Sequence, residues 1–203
     1  MKSKYFLLLL ITFNLLSCKV KRTDHPLYLE RKQIIQTSDL QKLQESNIIG
    51  YVSFINNEGN NVKLTDNDDN YQESVKISEN PFGITYKYDK NSLALRSETM
   101  MFYDNPVGFI KEYDQQGNIV NQINNDDGWD FSVTNLIDKM NNDFHINLMK
   151  VALKLSVTRN ADVSANVFEY HIFYPLNSTT FRYFKINGKN GAVISDYIGK
   201  YIE

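Results

Sequence analysis

The chain has 203 residues, with 22 Lys and Arg against 24 Asp and Glu and a single cysteine. A near-neutral chain without a basic stripe does not suit nucleic acid, whose recognition rests on clustered Lys and Arg. One cysteine cannot make an internal disulfide, so the body must be held by its own core.

The first element is "MKSKYFLLLLITFNLLSCKVKR", Met1 to Arg22. Lys2 and Lys4 precede an apolar run, Phe6 to Leu16, interrupted only by Thr12 and Asn14. A bilayer-spanning helix needs about 20 apolar residues, so this run is too short to span. A positive start, a short apolar run and a small residue at its end are the layout of a secretory signal peptide. The end, Leu15-Leu16-Ser17-Cys18, resembles the lipobox of bacterial lipoproteins. That resemblance implies cleavage between Ser17 and Cys18 and acylation of the Cys18 sulfur and of the new amino group. Stable anchoring takes at least two lipid chains, because each buried methylene contributes only about 0.8 kcal/mol. Lys19 follows, not the Asp that favours inner-membrane retention in enterobacterial lipoproteins, and no acidic surface-export signal is present. The expected location is therefore the outer membrane, lipid-anchored and facing the periplasm.

Residues 1–17 are read as the signal peptide and 18–36 as a lipid-anchored tether, charged and without period, in which His25 is solvated. Removal of residues 1–17 takes two lysines and no acids. It leaves 186 residues with 20 basic and 24 acidic side chains. Tyr (13) and Phe (12) are abundant and Pro (4) is scarce, a balance that favours strands. Asn clusters between apolar segments, where its tolerance of left-handed backbone serves turns. An Asn-, Lys- and aromatic-rich chain with a lipobox is similar to Bacteroidota lipoproteins in composition.

Residues 37–128 form the β-rich region. Thr37-Ser38-Asp39 is expected to cap a short helix to about Ser46, with Leu40 and Leu43 inward. Strands follow at Ile48 to Ile55, Val62 to Leu64, Tyr71 to Ile77 and around Ile84, Tyr86 and Tyr88, which share a face by period two. More are expected at Leu93 to Arg96, Thr99 to Tyr103, Val107 to Tyr113 and Ile119 to Ile123. "YDKNSLAL", "YDNPVGFI" and "YDQQGNIV" each join Tyr-Asp to a turn and an apolar run. Within residues 84–123 they resemble the YD hairpins of RHS-type repeats and of MORN-like antitoxin proteins.

"NNDDGWD", Asn124 to Asp130, is the expected break. Residues 129–203 then read as an α+β region. Val133, Leu136, Ile137, Met140 and Phe144 have helical spacing, and Asp130 or Ser132 can cap them. Val151 to Val157 alternates as a strand, Arg159 to Val167 reads as a loop, and strands follow at Val167 to Tyr174, Thr180 to Ile186 and Ala192 to Tyr197. The ending "FRYFKINGKNGAVISDYIGKYIE" resembles PepSY-type envelope domains over residues 130–203. The fold class expected is α+β: a mostly antiparallel meander with a short N-terminal helix, then a helix packed on a four-stranded antiparallel sheet.

Chemistry is sparse. No HExxH, CxxC or paired-His spacing supports a metal site, and no phosphate-binding or nucleophile motif occurs, so neither metal nor cofactor is expected. Asp66, Asp68 and Asn70 begin like a calcium loop, but Tyr71 and Ile77 stand where its Gly and Glu belong. Glu98, Asp104, Glu112 and Asp114 cannot be ranked by spacing, His145 is placed to end the helix, and His171 lies in a strand. The aromatic residues Trp129, Phe173, Phe181 and Tyr183 exceed what one face of a small sheet can bury, and they are the candidate interface. The expected function is a non-enzymatic envelope lipoprotein that binds a protein or peptide, in one version an immunity or inhibitor lipoprotein. A structural or assembly lipoprotein is the second reading and a periplasmic enzyme the third.

Overall fold

The computed structural model describes residues 34–46 and 50–201, all within one compact unit spanning 31–203. Cys18, Ser17, His25 and residues 18–33 of the expected tether lie outside the described residues; its last residues, Ile34 to Gln36, belong to the body instead, because Ile34 bridges to Ala94 and Ile35 is buried. The expected fold class is the one found. A short helix, α1 (Thr37–Glu45), precedes seven strands: β1 (Tyr51–Ile55), β2 (Asn61–Asp66), β3 (Asn70–Lys76), β4 (Phe82–Asp89), β5 (Leu95–Phe102), β6 (Asn105–Tyr113) and β7 (Ile119–Asn124). They form one antiparallel sheet in sequence order. Helix α2 (Val133–Phe144) and strands β8 (Ser156–Asp162), β9 (Val167–Pro175), β10 (Thr180–Asn187) and β11 (Val193–Lys200) make the second unit of structure, a sheet in the order β11-β10-β9-β8. Among the described residues no helix is long and apolar enough to cross a membrane.

The meander follows from its turns. Asn56 accepts the N–H groups of Glu58 and Asn60 through Oδ1, and Gly59 takes φ 81°. Asp114 repeats the device on Gln116 and Asn118, with Gly117 at φ 81°. Short loops of this kind bring each strand back beside its predecessor. The three Tyr-Asp pairs do not act alike. Asp89 and Asp114 head turns by accepting backbone N–H groups. Tyr103 and Asp104 are themselves the two left-handed residues of the β5–β6 hairpin, at φ 52° and 76°.

One face of the seven-stranded sheet is buried: Val62, Leu64, Val75, Tyr86, Tyr88, Leu95, Phe102 and Val107. Ile35 is buried at the start of the 34–46 segment, which bridges to Ala94 and reaches β1 and β2 through α1. Glu73 is buried on this face too, and the Tyr88 hydroxyl donates to its carboxylate at 2.8 Å. In the second sheet, Leu136 and Met140 of α2 pack over Val157, Tyr170, Ile172, Phe184 and Ile186, all buried.

Several boundaries depart from the sequence expectations. Asp39 is not the cap of α1 but a buried first-turn residue that accepts from Lys42; Gln36 precedes the helix without a side-chain bond, and Leu40 and Leu43 are only half-buried. Ser132 caps α2, exchanging bonds with Asn135. The two strands expected within Leu93 to Tyr103 are one, Leu95–Phe102, because a bulge opposite Lys87 and Tyr88 absorbs the irregular spacing, and Leu93 and Tyr103 are left-handed turn residues outside it. The alternation Val151, Leu153, Leu155 is not a strand. Lys154 sits at φ 66°, Leu155 closes a turn on Ala152, and Leu153 is 88% exposed. Arg159 to Asp162, expected as loop, is instead strand, paired with Val167 to Tyr170. Tertiary pairing with β9 outweighs its polar composition.

The two sheets are joined by side chains of the β5–β6 hairpin and β8. The Asn105 amide donates to the Val157 carbonyl and accepts from the Arg159 N–H, and the Tyr103 hydroxyl donates to the Leu148 carbonyl.

Candidate functional site

Strands β9 and β10 place residues of odd number on the sheet face opposite α2. Register pairs Phe173 with Tyr183, Pro175 with Phe181, and Tyr183 with Tyr197 of β11. The rings meet: Phe173–Phe181 at 5.3 Å, Phe173–Tyr183 at 4.9 Å, Tyr183–Tyr197 at 5.0 Å and Phe181–Tyr201 at 5.1 Å between centroids. Tyr197 is 51% exposed at the edge of this cluster. Three of the four candidate interface residues, Phe173, Phe181 and Tyr183, are thus brought together. Trp129 lies on the other side of the sheet, buried, with its ring against Phe168 and Tyr170 and under the Arg159 guanidinium. It packs beside Gly188, where a Cβ would fall 2.6 Å from the indole.

A polar chain continues the aromatic cluster. Tyr183 Oη lies 2.7 Å from His171 Nδ1, and His171 Nε2 lies 3.1 Å from Glu169 Oε2. In the tautomer with the ring proton on Nε2, toward the carboxylate, Nδ1 accepts and the Tyr183 hydroxyl donates. Lys185 Nζ stands 3.2 Å from the same Glu169 oxygen, and the Asn160 amide 3.2 Å from Nε2. Burial pushes the Glu169 carboxyl up, but the hydrogen bonds from Lys185 and His171 outweigh it and hold the group below its ordinary value. Burial raises the Tyr183 phenol, which therefore stays protonated. An ionised carboxylate orients an imidazole that in turn holds a hydroxyl, an arrangement that fixes hydrogen-bond polarity and can relay a proton.

No protein family, no characterised protein and no solved structure matches this chain. The likenesses to YD hairpins and to PepSY-type domains therefore rest on their motifs alone.

The remaining candidates do not converge. Among the described residues no three His, Cys, Asp or Glu cluster as metal ligands. Asp66 pairs with Lys90, Glu98 with Lys111, Asp104 with Lys76, and Glu112 accepts from Asn121. His145 ends α2 in the left-handed conformation, its N–H on the Asn141 carbonyl. Sequence reading singled out His171 but not its partners. Period two does place 169, 171 and 173 on one face, but the pairing that adds Tyr183 and Lys185 depends on register, which a single strand does not reveal.

Proposed function

We propose that this chain is a lipid-anchored protein of the cell envelope that binds a protein or peptide partner through the helix-free face of its C-terminal sheet. The contiguous rings of Phe173, Phe181, Tyr183 and Tyr197 on that face are the observation that carries the reading. Aromatic side chains with one polar tip are favoured at protein interfaces, since they offer large contact area at low entropic cost. The Leu15-Leu16-Ser17-Cys18 lipobox supplies the anchor in this reading. An immunity or inhibitor lipoprotein, holding a toxin or hydrolase in the periplasm, is its concrete version; an assembly lipoprotein would use the same face on an envelope complex.

A catalytic reading has one observation in its favour, the Glu169–His171–Tyr183 chain. It stays third, below the binding and assembly readings, because the phenol it would activate is raised, not lowered, by its surroundings.

Capture from detergent-solubilised envelope with the full chain tests the binding reading. A Tyr197→Asp, Phe181→Ser variant should lose the captured partner while keeping a cooperative unfolding transition, lowered by the lost ring contacts of Phe181. Capture that survives both changes would count against this face. An immunity role further requires that deletion harm cells only when a cognate toxin is present.

A further inference from the structure

The seven-stranded sheet has a second face whose register is unusual in its chemistry. Across the strands, one row runs Ser53, Lys63, Ser74, Thr85 and Thr99 before it turns apolar at Ile110 and Ile123. The next runs Thr65, Gln72, Lys87, Ser97, Glu112 and Asn121. A third runs Ile55, Asn61, Lys76, Gly83 and Met101. This face is not flat. Over β1 to β4 it bounds a trough of about 900 Å³, lined also by Tyr103 and Asp104 of the β5–β6 hairpin and by Val151 and Leu155. Ser74 and Thr85 are half-buried on its floor, with their hydroxyls 3.4 Å apart. Gly83 is also on the floor, and a Cβ there would sit 2.7 Å from the Val75 carbonyl oxygen, so close packing of β3 and β4 excludes any side chain.

We propose that this trough binds an extended, hydroxyl-rich, anionic glycan. Three features select that ligand. First, between Ile55 and Met101 the floor offers the hydroxyls of Ser53, Ser74 and Thr85 and the amide of Gln72. Its backbone N–H and C=O groups are already used in the ladder, so a peptide cannot add as a strand. Second, a ligand lying across the strands meets a new polar group every 4.7–4.9 Å or so. That spacing is close to the length of one sugar ring in an extended chain. Third, Lys63 and Lys76 line the trough against a single carboxylate, Asp104. Asp104 at the hairpin tip is paired with Lys76. The floor thus favours negative charge. The site is on a different sheet from the aromatic face and does not rest on the protein-partner reading.

Titration of the full chain in detergent with oligogalacturonate, against a neutral cello-oligosaccharide and poly-glutamate, tests it. Oligogalacturonate should bind, more weakly as salt rises, and both comparison polymers should bind at least tenfold less tightly. Lys63→Glu should weaken oligogalacturonate at least tenfold, and Thr85→Val, which keeps shape and removes one hydroxyl, by about three- to tenfold. Tyr197→Asp should leave it unchanged. Poly-glutamate binding equal to oligogalacturonate would reduce the site to bare charge and overturn the glycan. So would absence of oligogalacturonate binding, or binding indifferent to both trough variants.

Discussion

The Arg159 guanidinium lies flat over Trp129, 4.1 Å from the ring centroid, with only 5% of its side chain exposed. It gathers both sheets. One nitrogen donates to the Pro106 carbonyl at 2.6 Å, the other lies 2.8 Å from the Asp126 carboxylate, and Asp126 also accepts the Gly108 N–H. Planarity lets one group stack and bond in its own plane at once, which an ammonium cannot do.

Arg159→Lys should therefore destabilise the chain nearly as much as Arg159→Ala. The lost stacking and charge-assisted bonds amount to about 2–4 kcal/mol. The Asp126 Oδ1 that faces Arg159 is itself buried, so leaving it without the guanidinium adds to the cost. Denaturant unfolding measures this; a lysine variant within a few tenths of a kcal/mol of the parent would show that charge alone matters.

Acid should weaken the fold through its turn carboxylates. Hydrogen bonds from Asn118 and neighbouring backbone N–H groups hold the Asp114 carboxyl below its ordinary value, and those from Ser92 and Asn91 do the same for Asp89. Arg182 lowers Asp196 through a two-bond pairing at 2.8 and 2.7 Å. A carboxyl lowered in the folded chain contributes stability that is present above its ordinary value of 3.8 and lost as pH falls through the folded one. Unfolding free energy should thus stay level with respect to these groups from pH 7 to about 5 and fall below about pH 4. Asp114→Asn keeps the turn acceptor but removes the proton linkage. It should flatten part of the acid slope, whereas Asp114→Ala should also lower stability at pH 7.

Much of this fold is legible in the sequence because its turns are local. Asn56 to Asn60 and Asp114 to Asn118 carry their own hydrogen-bond acceptors and glycines, so the hairpins and their order follow from short spacings. Helix α2 is equally legible, since Ser132 and the apolar stripe act within one element. What is hidden depends on partners far away in the chain. Val151 to Leu155 has the alternation of a strand but no strand to pair with. Arg159 to Asp162 lacks it yet pairs with β9. The aromatic face was visible as an excess of rings, but the Tyr183–His171 bond and the Ser74–Thr85 floor appear only once register is known.

Alkali should act on buried phenols. Burial pushes Tyr103 and Tyr170 up to about 12, and Tyr86 and Tyr88 higher still, the last beside Glu73. A phenol raised in the folded chain contributes stability that is full below its ordinary value of 10.0 and lost as pH rises through the folded one. Phenolate absorbance should therefore rise in more than one stage, with these four phenols ionising last and with loss of structure. Tyr88→Phe should leave Glu73 without that donor and lower stability at pH 7 by about 1–3 kcal/mol. A single smooth titration of all tyrosines with the fold intact would contradict the burial.

The anchor makes the sharpest separate prediction. Cys18 is the single thiol, and in the lipoprotein reading it carries acyl chains, not a free sulfur. Two or three chains, at about 0.8 kcal/mol for each buried methylene, hold a protein on a bilayer against dilution, whereas one does so only reversibly. Wild-type chain should sediment with membranes, resist carbonate and salt washes, and incorporate labelled palmitate. Cys18→Ala should abolish the label and leave uncleaved precursor, because lipidation precedes the cut in the pathway that the lipobox implies. An uncleaved apolar leader can itself hold to membranes, so sedimentation alone does not discriminate. Label incorporation and the mass of the mature N-terminus do. A Cys18→Ala chain cleaved at the same bond, or a wild-type N-terminus of unmodified mass, would remove the anchor from the proposed function and leave the aromatic face to be judged by itself.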